Sequence, residues 1–421
     1  MAGFKHILLK IVMKIFNVVY SILQSVGIEL IPVSLDEVVR ELTAAEKEEF
    51  LKQDFIEPVK FIVEACNTPG NSVSGIQRFF LTQMIRLQIQ NLSAVKMEVA
   101  KNPDILTTPV DGPIVIIGLA RCGTTMLHRL LACDPQFVSP MTWEMMKPTP
   151  AGRPENWRES QRFKEACKMF DSMQTAFPDD FQTMHYIEAD SSEECVMILG
   201  NCFLNVVDSI QPDLEKWRKF QVSCPREYLK KAYEHYKQAL QCLFYKNLDG
   251  NKRLLLKAPS HAMYLDMYRK ILPNAKFIFM HRNLQTIVNS STSLLDGLMR
   301  MQAIEGGNDL AKKWTLDLFK ACSERAVAEF KQMDKDSFLI MGYRQLMKDP
   351  MAEVGRIYSH FKLELTPEVE ANMRRHLEDN KQNKFGKHKY NVVENQVTRE
   401  ELIDVFGDLL DYLKDTQEDL L

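Results

Sequence analysis

"PIVIIGLARCGTTMLHRLL", residues 113–131, decides how the chain folds. Its opening run is short, apolar and rich in β-branched side chains, which fits a buried strand. Gly118 and Gly123 then bracket a short loop carrying Arg121, and an amphipathic segment follows. A strand turning through glycines into a helix aims backbone N–H groups and the positive helix end at one point, where an anion can sit. Gly118-x4-Gly123-Thr124-Thr125 matches the phosphate loop GxxxxGK[ST] at each defined place except the lysine, which is Thr124 here. That lysine normally reaches the β- and γ-phosphates, so triphosphate chemistry loses its main cation. The loop's cation is Arg121, placed inside it. No aspartate closes a later strand to hold magnesium, because "KFIFM" (276–280) runs into His281 and Arg282. Taken alone, the loop also reads as a strand–helix turn with no ligand.

Working outward, further short apolar runs occur at "RLLLK" (253–257), "KFIFMH" (276–281) and "SFLIMG" (337–342), with helical patterns between them. Buried strands separated by crossover helices predict an α/β fold, a phosphate-loop-like parallel sheet flanked by helices. Residues 1–105 read as a helical N-terminal region. "SLDEVVRELTAAEKEEFLKQDF" (34–55) and "SGIQRFFLTQMIRLQIQNLSAVKMEVAKN" (74–102) carry helical spacing, and "NTPGNSVSG" breaks between them. The turn-rich "NPDILTTPVDGP" (102–113) marks the boundary to an α/β domain at 106–421. Residues 150–250 read as a helical insert over the carboxyl edge of the sheet, where ligands bind in such folds.

The 421 residues carry net charge −3 and are 45% hydrophobic, which excludes a general nucleic-acid or anionic-membrane binder built on bulk charge. Nine scattered cysteines form no CxxC pair and no ligand cluster, so we expect free thiols in a reducing, cytoplasmic compartment, with a Golgi anchor disfavoured. In "FKHILLKIVMKIFNVVYSILQSVGI" (4–28), Lys10, Lys14, Asn17, Ser21 and Gln24 draw a narrow polar stripe along a broad apolar helix. The lysines interrupt the run too early for a good span. A helix packed on protein, an interfacial helix making peripheral membrane contact, and a poor signal anchor all remain open for 4–28. Oligomeric state is not readable.

Several stretches together resemble the sulfotransferases that use 3′-phosphoadenosine 5′-phosphosulfate (PAPS). "GLARCGTTMLHRLLACDP" (118–135) resembles their 5′-phosphosulfate loop, PRSGTTxL, with Ala120 for proline and Cys122 for serine. "KFIFMHRNLQTIVNSSTSLL" (276–295) is similar to their strand–arginine–helix–serine element, in which Arg282 and Ser290 would grip the 3′-phosphate. A guanidinium pairs bidentately with a phosphate and a hydroxyl adds a third bond. "LLLKAPSH" (254–261) resembles the Lys-Ser/Thr-Pro segment whose lysine, here Lys257, faces the sulfate. "FLIMGYRQLMKDP" (338–350) would bring Tyr343 near the adenine, although Arg344 departs from the usual acid. "KFGKHKY" (384–390) is similar to the basic loop that closes over the nucleotide, through Lys387, His388 and Lys389. The likeness covers roughly 110–395 and is strongest to the bacterial-type group, including "SPMTWEMMKPTP" (139–150), and more distant to the tyrosylprotein and heparan sulfotransferases.

The resemblance implies PAPS as sulfate donor, held by Arg121, Cys122, Gly123, Thr124, Thr125, Arg282, Ser290 and Tyr343, and no metal. It implies in-line transfer of the sulfuryl group to a hydroxyl, or less readily an amine, of a small or lipid-like acceptor. Arg121 and Lys257 would stabilise charge on the leaving phosphate. For the base, Glu144 in "MTWEM" stands where the tyrosylprotein and heparan branches carry their glutamate. His261 and His185 are alternatives, the latter in "QTMHYIEADSSEEC" (182–195) with Glu188 and Glu194 close by. Two other readings stay in view: a small-molecule phosphate-loop kinase, and a nucleotide-binding scaffold without catalysis.

Overall fold

The computed structural model describes residues 2–68, 73–174, 187–204, 214–248, 250–301, 307–380, 397–416 and 419–421. Five strands, β1 (Ile114–Gly118), β2 (Phe137–Val138), β3 (Arg253–Lys257), β4 (Lys276–His281) and β5 (Phe338–Gly342), form one sheet in the order β2-β3-β1-β4-β5. Every pairing is parallel; Ile114 pairs with Leu255 on one side and Lys276 on the other. β1 is therefore central, and all five of its residues are buried. A strand covered on both faces needs no polar alternation, which is why "IVIIG" reads as an unbroken apolar run. β2 escapes sequence reading because two edge residues carry no period.

Helices cover both faces. Those that position the site or frame its surroundings are α1 (Ala2–Ser25), α2 (Gly75–Lys101), α3 (Thr124–Leu131), α4 (Thr142–Met146), α5 (Arg226–Leu243), α6 (Leu284–Met301), α7 (Gly307–Phe330) and α8 (Arg399–Leu413). The expected helix over 34–55 is broken into Leu35–Val38 and Ala44–Leu51, each opened by its own cap: Ser34 accepts from the Glu37 N–H and Thr43 from the Glu46 N–H. Hydroxyls that satisfy orphan N–H groups start new helices, so the chain turns at Thr43. Within 150–250 the described elements are helical, including Gln161–Gln174, Val196–Gly200 and α5. One cluster of buried apolar side chains joins the N-terminal helices to the sheet and the C-terminal helices, from Val33 to Leu420.

β1 hands the chain to β2 on one flank, and β4 returns on the other. The carboxyl ends of β3, β1 and β4 thus meet at a switch in strand order, where a crevice opens in α/β folds. The loop after β1 lies there.

Candidate active site

Two backbone features shape the loop. Gly118 pairs with Met280 across the sheet, and a Cβ on it would strike the Met280 carbonyl oxygen. Gly123 has φ +85° and a Cβ there would lie 2.8 Å from the Tyr343 ring. Between them Arg121 takes φ +69°, a left-handed conformation that costs a non-glycine residue of order 1–2 kcal/mol. That strain is held by contacts at both ends of the residue. Arg121 Nε donates to Ser290 Oγ at 3.0 Å, and its carbonyl accepts from Arg282 Nη1 at 3.2 Å. The Arg282 guanidinium in turn lies 4.1 Å from the centre of the Tyr343 ring. Arg121, Gly123, Arg282, Ser290 and Tyr343, gathered from three separate stretches of sequence, therefore form one contact network around the loop. Tyr343, expected beside an adenine, is the platform under Arg282 and Gly123.

On the other side of β1, Lys257 closes β3 and is fully buried. Its ammonium donates to Thr125 Oγ1 of the loop helix at 3.3 Å, and to Glu193 and Glu194, each at 2.9 Å. The Cys195 N–H donates to the Lys257 carbonyl at 3.0 Å, which fixes the 193–195 segment against the end of β3. Burial alone would lower the Lys257 pKa, but the two carboxylates and their hydrogen bonds outweigh it and hold the ammonium above its ordinary value. Lys257 stays charged. Glu193 is nearly as buried as the lysine, whereas the Glu194 side chain keeps 23% exposure. Glu194 reaches a cleft lined by Leu119, Leu295, Leu298, Trp314 and Phe319. The cleft is narrow, with about 80 Å³ open to the centre of a water molecule, and its walls are mostly hydrocarbon.

Cys122 and Thr124 lie buried in the loop, the thiol 3.9 Å from the Ala120 carbonyl. Glu144 and His261 sit in different surroundings. The Glu144 side chain is fully buried; Arg153 donates to both its oxygens, at 2.8 and 2.6 Å, and the Met141 N–H donates to one of them at 2.9 Å. It closes the first turn of α4 and anchors Arg153, which also donates to the Ser139 carbonyl. His261 is enclosed by Tyr233, Tyr236 and Tyr268. Its Nδ1 lies 3.0 Å from the Tyr233 hydroxyl and its Nε2 lies 3.4 Å from Cys195 Sγ. Burial pushes its pKa down to about 3, so the ring is neutral and both nitrogens are engaged. Glu144 and His261 thus hydrogen-bond Arg153, Met141, Tyr233 and Cys195 rather than residues of the loop. His185, Lys387, His388 and Lys389 lie outside the described residues.

Sequence reading missed Glu193 and underused Glu194. Their partner Lys257 is more than sixty residues away, and two adjacent acids resemble an ordinary solvated pair. The clue available was "EEC" itself, acids running straight into an apolar helix.

A parallel sheet carrying a glycine-bearing strand–helix loop at its switch point, with arginines around it and threonine in place of the loop lysine, defines a phosphate-loop-like α/β protein that differs in sequence from the triphosphatases. The chain belongs to the sulfotransferase family, whose profile matches residues 113–367. The omega-hydroxy-beta-dihydromenaquinone-9 sulfotransferases Stf3 of Mycobacterium bovis and Mycobacterium tuberculosis are each 24% identical over 314 residues, covering 72% of this chain and 76% of the relative. In fold the chain is similar to sulfotransferase STF9 of Mycobacterium avium (TM-score 0.75, 23% identity, 92% of this chain and 98% of that one). It is also similar to STF1 of Mycobacterium tuberculosis (TM-score 0.70, 21% identity, 89% and 99%).

Proposed function

We propose that this sulfotransferase takes its sulfuryl group from PAPS and delivers it to a hydroxyl on a lipid-like acceptor. The observation that carries the donor assignment is the Arg121–Ser290 hydrogen bond with Arg282 beside it. It ties the loop suited to a 5′-phosphosulfate to the arginine–serine pair suited to a 3′-phosphate, and a nucleoside triphosphate has no 3′-phosphate to use that pair. The residues fit the donor: the loop offers backbone N–H groups, Gly123 leaves no room for a side chain, and Arg121, Arg282 and Lys257 supply charge. The donor, when bound, supplies an activated sulfuryl group on a phosphate leaving group.

The acceptor class rests on two supports. Stf3 is named for a hydroxylated menaquinone, and the cleft beside Glu194 is narrow and apolar, matching a slender hydrocarbon chain. Glu194 is the group we assign as base, ahead of Glu144, whose carboxylate serves Arg153, and of His261 in its tyrosine cage. As the acceptor oxygen bonds to sulfur and the sulfur–phosphate oxygen bond breaks, Glu194 takes the hydroxyl proton and the electron pair leaves on the phosphate. Arg121 and Lys257 balance the charge that accumulates there. Glu193 holds Lys257 in place.

The test is transfer of label from ³⁵S-PAPS to a long-chain ω-hydroxy isoprenoid, compared with a short polar alcohol, by wild type and Glu194→Gln. We expect transfer to the isoprenoid, with kcat lowered about 10²–10⁴-fold in the variant. Transfer by the variant at the wild-type rate would return the base to another residue. Labelling of the polar alcohol alone would overturn the lipid reading.

A further inference from the structure

From Ile11 to Ser25, α1 meets the rest of the protein along one side. Tyr20 is buried over Gly75, where even a Cβ would collide with its ring, and the Asn17 side-chain oxygen accepts from the Ile76 N–H at 3.1 Å. Much of the rest of its surface faces outward. Ile11, Ile15, Val18, Val19, Ile22 and Val26 are 45–67% exposed. At 3.6 residues per turn the five within α1 fall within about 100° of arc, a single continuous aliphatic stripe that Val26 extends just past the helix end. The stripe has no counterpart elsewhere: among the described residues, nine of the fourteen exposed large hydrophobic side chains lie between Ile11 and Leu30, leaving Leu51, Phe79, Met97, Leu106 and Ile403 for the rest. So large an apolar patch marks an interaction surface.

Charge and chemistry select the occupant. Residues 1–28 contain Lys5, Lys10 and Lys14 and no acid before Glu29, whereas the whole chain carries net charge −3. The stripe itself is aliphatic and β-branched; the aromatic Tyr20 on this helix is turned inward. Protein interfaces concentrate their energy in aromatic and arginine anchors, which this face lacks. Basic residues beside a smooth aliphatic face are what an anionic lipid surface attracts. The helix is not long and apolar enough to cross a membrane. We propose that α1 lies in the plane of an anionic phospholipid bilayer, with its Ile11–Val26 stripe seated at the boundary between headgroups and acyl chains. This anchorage is independent of the donor assignment, and it would deliver the enzyme to the phase in which a lipid-like acceptor resides.

The test is sedimentation of the full chain with vesicles of phosphatidylcholine alone, or with about a third phosphatidylserine. We compare wild type, Val18→Asp/Ile22→Asp and Lys14→Glu, with melting temperature measured for each. Wild type should sediment with the anionic vesicles and be released by high salt. The double variant should bind at least ten-fold less while melting near wild type, because both positions are already exposed. Lys14→Glu should lose part of the salt-sensitive binding. Equal sedimentation of wild type and the double variant, or no wild-type binding, overturns the proposal. So does light scattering that gives a dimer for wild type and a monomer for the double variant, since a second copy would then cover the stripe.

Discussion

Replacing Lys257 with methionine removes the ammonium while keeping most of the side-chain volume, so it isolates the charge. In the native chain that ammonium is fully buried and bonds Glu193, Glu194 and Thr125. Without it, Glu193 becomes a buried carboxylate facing another carboxylate across the lost cation. Removing one partner of a buried pair costs about 3–5 kcal/mol, because the remaining charge keeps its desolvation penalty and loses its attraction. A domain of this length unfolds with an entropy of ~0.9 kcal/mol/K, so that cost lowers Tm by roughly 3–6 °C. Lys257→Met/Glu193→Gln should recover more than half of the loss, since the orphaned charge is then gone; adding the two single effects would overestimate the damage. Differential scanning calorimetry on the four proteins closes the cycle. If Lys257→Met melts with wild type, or if the two losses simply add, the buried cluster does not hold this edge of the sheet.

Three further outcomes follow from the geometry. Arg121→Gly releases the left-handed strain and removes the guanidinium that meets Ser290, so stability should hold or rise by up to ~1 kcal/mol while the affinity for 3′-phosphoadenosine 5′-phosphate falls at least ten-fold by calorimetric titration. Gly123→Ala places a Cβ 2.8 Å from the Tyr343 ring at φ +85°, so it should lose ~1–2 kcal/mol in denaturant unfolding and weaken nucleotide binding by displacing the Arg282 platform. Burial pushes His128, His235 and His261 down to about 3. The unfolded chain then binds protons near pH 6.5 that the folded chain refuses, so this stability is complete above about pH 7 and declines as pH falls. At pH 5.5 the loss is ~1.4 kcal/mol for each histidine, or ~4 kcal/mol together, and a flat unfolding free energy between pH 7.5 and 5.5 would refute it.

What was legible in the sequence follows from the range of the forces involved. β1, β3 and β4 stand out because burial on both faces demands continuous apolar runs, β5 because its edge run is still largely apolar, and the loop because its glycines answer to local backbone geometry. The Arg282–Ser290 element was readable as a spacing of eight residues from the end of β4 into α6. Its link to Arg121 spans 169 positions and appears only when β1 and β4 pair. Glu144 was a base candidate by its place in the resemblance; its hydrogen-bond partner Arg153 lies nine residues on, beyond the end of α4, and no local pattern announces it. The polar stripe of α1 was visible, but a sequence cannot say which face docks. Tyr20 and Asn17 turn inward, and the aliphatic side is left outside.

The central claim is that the loop and the Arg282–Ser290 pair together read a nucleotide carrying phosphate at both ends of its ribose. The most direct measurement is the shift in Tm caused by 3′-phosphoadenosine 5′-phosphate, beside AMP and Mg-ATP, for wild type and Arg282→Ala. We expect a rise of several degrees with the bisphosphate alone, as binding to the folded state demands, and its disappearance in the variant. An equal or larger rise with Mg-ATP, or a bisphosphate shift that survives Arg282→Ala, would contradict the account.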